Sequence, residues 1–185
     1  MKKDKIYEHE LMKRLATGEM EALDEIVKKY QNQVLTLAYR FLNDWAKSED
    51  IAQETFLRIY RASADYRPQA KFSTWIYRIV VNLCLDERRR QTKRPVTIEE
   101  AAYEPSTEPE SNALERRETI ELVRKAISEL PPRQRLAVIL HRYENLSHDQ
   151  ICEVTEWTKS AVESLLVRAY ANLRKKFSKM EIFIE

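Results

Sequence analysis

The sequence predicts an all-α protein of two small helical domains joined by a flexible acidic linker, on three observations. Apolar residues recur at three- and four-residue spacing through two blocks, residues 6–94 and 114–185. The 185-residue chain has a single glycine, Gly18, far too few for the turns of a hairpin-rich β fold. Leu, Ala, Glu, Lys and Arg, all good helix formers, are abundant.

The first block reads as a succession of amphipathic helices. Leu23, Ile26, Val27 and Tyr30 begin an apolar seam that Val34, Leu37, Ala38, Phe41 and Leu42 continue. Ser48 then precedes a helix with Ile51, Ala52, Thr55, Phe56, Ile59 and Tyr60 inward and Asp50, Gln53, Glu54 and Arg58 outward. After a loop containing Asp65 and Pro68, Ser73 or Thr74 caps the next helix. Trp75, Ile76, Ile79, Val80 and Leu83 form its apolar side. Arg78, Asn82 and Arg89 share a stripe on the other, with Leu85 between them and Trp75 at the edge. That stripe is either an ordinary solvated face or a surface for nucleic acid.

Arg94-Pro95 ends the block. Residues 95–112 hold three prolines, five glutamates and no lysine or arginine, directly after Arg88, Arg89, Arg90, Lys93 and Arg94. This composition predicts an extended linker, 95–113, with no core of its own. At about 3.3 Å per residue it reaches roughly 60 Å, the length of ~18 base pairs of duplex.

In the second block one helix covers Leu114 to Leu130, and Pro131-Pro132 stops it and starts another that runs through Tyr143. Ser147 and Gln150 form a capping-box pair opening a short helix. A turn at Glu156 to Thr158 leads to a longer helix ending in Arg174, Lys175 and Lys176. Short helix, tight turn and longer helix with a basic end is a helix-turn-helix pattern, with a plain helical hairpin as the alternative. Lys159, Ser160, Glu163, Ser164, Val167 and Arg168 lie opposite Val162, Leu166, Ala169 and Leu173.

Several classes are excluded or disfavoured. The net charge is only +2, so a nucleic-acid surface must come from local sorting of charge. One glycine cannot build a phosphate-cradling loop or a dinucleotide fingerprint. Cys84 and Cys152 read as structural thiols of a reducing compartment, and no Cys/His cluster suggests a metal. His141 and His148 read as ordinary surface or interface residues. No apolar run is long enough to span a bilayer and the lysine-rich start lacks an apolar signal core, so a soluble cytoplasmic protein is expected.

Three stretches together carry a strong resemblance: EDIAQETFLRIYR (49–61), KFSTWIYRIVVNLCLDERRR (71–90) and LPPRQRLAVILHRYENLSHDQICEVTEWTKSAVESLLVRAYANLRKK (130–176). They resemble successive regions of a bacterial RNA polymerase sigma factor, in the extracytoplasmic-function (ECF) group of the sigma-70 family. The resemblance implies region 2 over residues 1–94, a linker over 95–113 and region 4 over 114–185. It implies no enzyme, hence no catalytic residues, no cofactor and no metal. Such a protein binds core RNA polymerase, directs it to promoters and initiates opening at the −10 element, while region 4 reads the −35 element. It is a monomer when free, does not insert into membranes and is commonly held by an anti-sigma factor.

The resemblance also assigns roles. Asp50, Gln53, Glu54 and Arg58 would dock on the coiled coil of the polymerase β′ clamp, a salt-sensitive pairing. Arg78, Asn82 and Arg89 would face −10 DNA, asparagine offering donor and acceptor to a base edge and arginine serving phosphate or guanine. The loop with Tyr66, Arg67, Lys71 and Phe72 resembles the family's base-capturing loop. An aromatic platform contributes ~1–3 kcal/mol per base toward the cost of extrusion. Trp75 is either core or part of that platform, and Tyr77 is a weaker candidate. Lys159, Ser160, Glu163, Ser164, Val167 and Arg168 would meet −35 DNA. Glu163, where many relatives carry a basic residue, either accepts from a cytosine amino group or caps its helix with Ser160. Arg133 and Arg135 approach the β flap, a DNA phosphate or solvent. The acidic linker is threaded through basic polymerase channels or is a free tether, and the apolar tail Met180 to Ile184 packs on the second domain or meets a partner. The rival readings are a stand-alone helix-turn-helix regulator and a metal-dependent nuclease using the carboxylates from Asp44 to Glu54.

Overall fold

The computed structural model describes residues 2–68, 70–91 and 113–179, which contain helices and turns and no strand. The chain forms two compact units. The first holds α1 (Lys2–Ala16), α2 (Met20–Leu42), α3 (Trp45–Arg61) and α4 (Phe72–Gln91), with a 3-10 turn at Ser63–Asp65. The second holds α5 (Ala113–Ser128), α6 (Pro132–Val138), most of α7 (His148–Thr155) and α8 (Lys159–Lys179). Linker residues 95–112, Lys93, Arg94 and the tail Met180 to Ile184 lie outside the described residues.

In the first unit α2 is the central helix, packed on α1, α3 and α4. Ala22, Ile26, Tyr30, Val34, Leu37 and Phe41 recur every three or four residues and are buried. Leu11, Met12 and Leu15 of α1, Ile51 and Ile59 of α3, and Ile76, Val80 and Leu83 of α4 complete the core. Each such side chain contributes about 1.5–3 kcal/mol when fully withdrawn from water. The one glycine stands where its conformation is needed: Gly18 has φ +94° in the turn between α1 and α2, and its N–H bonds the Leu15 carbonyl at 3.0 Å.

Two helix starts differ from the sequence reading. Asp44, not Ser48, caps α3, its carboxylate accepting from the Lys47 N–H at 3.0 Å. Ser48 sits a turn inside and is buried. Helix α4 starts at Phe72, so Ser73 and Thr74 belong to its first turn rather than capping it. Tyr60, expected inward, is 42% exposed because it follows the buried Ile59 by one residue, about 100° around the helix.

Cys84 is buried in α4, and burial, with Glu87 adding to it, pushes its thiol far up. Cys152 is only half-buried. Iodoacetamide at neutral pH is therefore expected to label Cys152 while leaving Cys84 unmodified in the folded protein, read by peptide mass mapping. Equal labelling would show that α4 opens on the labelling timescale.

In the second unit α6 packs on α8, burying Leu136, Ala137, Val138, Val162, Leu166, Ala169 and Leu173. The helix begun at Pro132 does not stay α-helical to Tyr143. Residues Ile139–Tyr143 form a π turn, in which the Glu144 N–H reaches the Ile139 carbonyl five residues back, at 3.2 Å. Arg135 is another correction: at 4% exposed it lies inside the unit and cannot present a surface cation.

The Ser147–Gln150 capping box forms in full and opens α7. Glu156 closes α7 in the left-handed conformation, φ 60°, its N–H bonding the Cys152 carbonyl at 2.8 Å. A side chain there costs ~1–2 kcal/mol, and glycine's extra unfolded-state freedom offsets about half of the relief. Glu156→Gly is accordingly expected to stabilise this unit by roughly 0.5–1 kcal/mol in urea unfolding. A loss of stability would mean that the Glu156 side chain contributes more than its backbone costs.

Candidate nucleic-acid interface

The loop between α3 and α4 folds back as an aromatic step. Tyr66 and Trp75 are half-buried, with ring centroids 4.9 Å apart. Phe72, only 2% exposed, lies 5.6 Å from Tyr66 and 5.5 Å from Trp75, and Tyr30 of α2 supports it at 5.4 Å. Burial, then the charge of Glu8, raises the Tyr66 hydroxyl above its ordinary pKa. Glu8 itself is buried in α1 and accepts from Lys29 Nζ at 2.9 Å and from the Tyr30 hydroxyl. His9, next along α1, brings its ring to 6.4 Å from Tyr66.

Of the loop residues, Tyr66 reaches the surface, Arg67 and Lys71 are exposed, and Phe72 is the buried support under the other rings. Trp75 is at once packed on Phe72 and accessible. Tyr77, by contrast, is buried. Along α4 the side chains of Arg78, Asn82 and Arg89 are exposed, and Leu85 is half-buried between them. Arg78 to Arg89 spans about 16 Å of helix, close to five base steps. Arg89 pairs with Asp86 at 3.6 Å, both well exposed, a contact that salt and DNA can displace.

On α3, Asp50, Gln53 and Arg58 are exposed and Glu54 half-exposed. Arg58 Nε donates to Glu54 at 2.8 Å, and that bond holds the Glu54 carboxyl below its usual pKa. Sequence reasoning missed Leu57 and Tyr60, 48% and 42% exposed on the same part of α3. The available signal was Leu57's place four residues after Gln53, off the Ile51–Thr55–Ile59 seam. The carboxylates from Asp44 to Glu54 do not converge. Asp44 caps α3, Glu49 accepts from Trp45 Nε1 at 2.9 Å, and Glu54 holds Arg58. No group of three His, Cys, Asp or Glu residues suited to a metal occurs among the described residues.

In the second unit α7, the turn Glu156–Thr158 and α8 complete a helix-turn-helix. Thr158 caps α8, its hydroxyl accepting from the Ala161 N–H at 3.3 Å. This overturns the Ser160–Glu163 capping alternative, because both residues lie inside the helix. Lys159, Ser160, Glu163, Ser164, Val167 and Arg168 are all exposed, whereas Val162, Leu166, Ala169 and Leu173 are buried. Val167 is 70% exposed. Lys159 pairs with Asp149 at 3.0 Å, which raises its pKa, and His148 Nδ1 lies 3.8 Å from the Glu163 carboxylate. Arg133 places its guanidinium 4.8 Å from the centre of the Trp157 ring.

A rimmed aromatic step in one helical unit and an exposed recognition helix in another define a DNA-binding protein of the helix-turn-helix class. Comparison with known proteins narrows this. Sigma-70 region 2 matches residues 26–94, and Sigma-70, region 4, matches residues 120–173. The RNA polymerase sigma-H factor of Pseudomonas aeruginosa is 33% identical over 172 residues, 88% of this chain and 89% of its own. The ECF RNA polymerase sigma-E factor of Haemophilus influenzae is 30% identical, covering 94% of this chain and 96% of its own. Among solved structures, CnrH in complex with the cytosolic domain of CnrY matches with a TM-score of 0.69 at 21% identity, over 94% of this chain and 98% of that one. The sigma factor RpoE of Bartonella quintana, in complex with the anti-sigma factor NepR, gives 0.68 at 18% identity, over 84% and 96%. The chain belongs to the sigma-70 family of RNA polymerase sigma factors, in its extracytoplasmic-function group. Its function is that of a promoter-specific sigma factor, and this family is generally not catalytic.

Proposed function

We propose that residues 1–94 act as region 2, 95–113 as the connector and 114–185 as region 4 of a sigma factor working on core RNA polymerase in the cytoplasm. Asp50, Gln53, Glu54 and Arg58 dock on the β′ clamp coiled coil, and Leu57 and Tyr60 add apolar contact between those charges. The aromatic step takes an extruded base of the −10 element. Tyr66 and Trp75 stack on it, Phe72 holds them in place, and Arg67 and Lys71 neutralise the flanking phosphates. Arg78, Asn82 and Arg89 meet the same element along α4. Lys159, Ser160, Glu163, Ser164, Val167 and Arg168 meet the −35 element, and Arg133 offers a cation to the β flap. An anti-sigma factor holds the free, monomeric protein. Among the described residues no helix is long and apolar enough to cross a membrane, in keeping with a partner set of polymerase, DNA and regulator.

The observation that carries this reading is the joining of two half-buried rings, Tyr66 and Trp75, to the exposed Arg78–Asn82–Arg89 side of a single helix. A base pocket at the start of the helix that carries a polar DNA track suits a protein that must open duplex and not merely bind it. Size exclusion with purified bacterial core RNA polymerase tests the reading first. Co-elution, followed by permanganate reactivity of −10 thymines in the holoenzyme, is the expected result. Failure to co-elute with active cognate core would overturn the assignment of Asp50, Gln53, Glu54 and Arg58 to a polymerase-docking surface.

A further inference from the structure

The DNA-facing side of α8 carries little positive charge where it begins. Lys159 is paired with Asp149 at 3.0 Å, and the next residue one turn along that side is a carboxylate, Glu163. An exposed carboxylate is repelled by phosphate, and the Ser160 cap that would have tied it to its own helix does not form, because Thr158 caps α8. Beside Glu163 stand Lys159, already paired with Asp149, and the His148 imidazole at 3.8 Å, a charged partner only when protonated. One turn further on the same side stands Val167, 70% exposed and apolar in a polar surface. Arg168 follows it and is exposed as well.

We infer that Glu163 and Val167 set the −35 sequence: Glu163 selects a cytosine by accepting from its N4 amino group, and Val167 selects a thymine by packing on its methyl. Carboxylates pair with the cytosine amino donor in the major groove, and small apolar side chains pair with the thymine methyl. Residues four apart on a helix are separated by about 6 Å, so the two bases lie roughly two steps apart. Arg168 and Ser164 then hold the backbone, which fixes register without choosing the base. The inference rests on the reading of α8 as the helix that meets −35 DNA.

The test is selection from duplexes randomised upstream of a fixed −10 region, using the full chain assembled with core RNA polymerase. The wild type is expected to enrich a motif in which a C·G pair lies two or three steps from a T·A pair. Glu163→Ala is expected to flatten the cytosine position alone, lowering discrimination there about tenfold or more, while the rest of the motif persists. Glu163→Gln is expected to move that position toward adenine, which a side-chain amide reads. Val167→Ser is expected to flatten only the thymine position. An unchanged motif in Glu163→Ala and Val167→Ser would overturn the assignment while leaving α8 as the DNA-reading helix. Failure of the wild type to enrich any upstream motif would instead remove α8 from the −35 element and take the assignment with it. Circular dichroism of each variant separates loss of specificity from loss of fold.

Discussion

Asn82→Ala is expected to lower promoter opening roughly tenfold or more while leaving affinity for core polymerase unchanged. Asn82 is exposed on α4, so its removal leaves no cavity and no buried polar group unsatisfied. Alanine is also the better helix former, so the variant gains up to ~0.5 kcal/mol of helical stability while losing function. Stability and activity then move in opposite directions, which no folding defect can mimic. Permanganate reactivity or 2-aminopurine fluorescence at the −10 element reads opening, and titration of labelled protein into core polymerase reads assembly. Equal losses in both would assign Asn82 to the polymerase surface and not to DNA.

The second large effect is structural. Phe72→Ala removes a ring that is 2% exposed and lies within 5.6 Å of three other aromatic centroids. Emptying a buried aromatic site costs about 3–5 kcal/mol. That is a large share of the ~5–15 kcal/mol available to an ordinary domain. Urea unfolding followed by circular dichroism is expected to show the first unit melting well before the second. Phe72→Leu keeps most of the volume and is expected to lose far less. Because Tyr66 and Trp75 rest on this ring, Phe72→Ala also disorders the step in the fraction that stays folded. Wild-type stability in Phe72→Ala would mean that the core closes over the gap.

The all-helical architecture was legible because 3.6-residue periodicity runs through both units and one glycine leaves little room for anything else. The exposed face of α8 was legible for the same reason. Helix starts were less so. Asp44 and Ser48 are both good caps, and only Trp45's position inside the helix decides between them. Thr158 and Ser160 present the same ambiguity at α8. Phe72 sits among Gln69, Ala70 and Lys71, so its surroundings in the chain look like a loop. Its burial depends on Tyr30, which is remote in sequence, and no local pattern encodes that distance. Arg135 is the reverse case, a charged residue that looks exposed between Gln134 and Leu136 and is enclosed by tertiary packing. The clustering of Leu57 and Tyr60 beside Gln53 also emerges only when the buried seam of α3 is known.

The π turn at Ile139–Tyr143 has a genealogical consequence. Such a turn is what a regular helix becomes when one residue is inserted and the flanking packing is kept. Relatives whose helix is regular at this point are therefore expected to align with a single-residue gap, and the gap belongs inside the helix and not in the loop after it. Aligning without it shifts every position from there to the end of the loop by about 100° around the helix axis. His141 and Tyr143 would then be matched with residues that point elsewhere in those relatives.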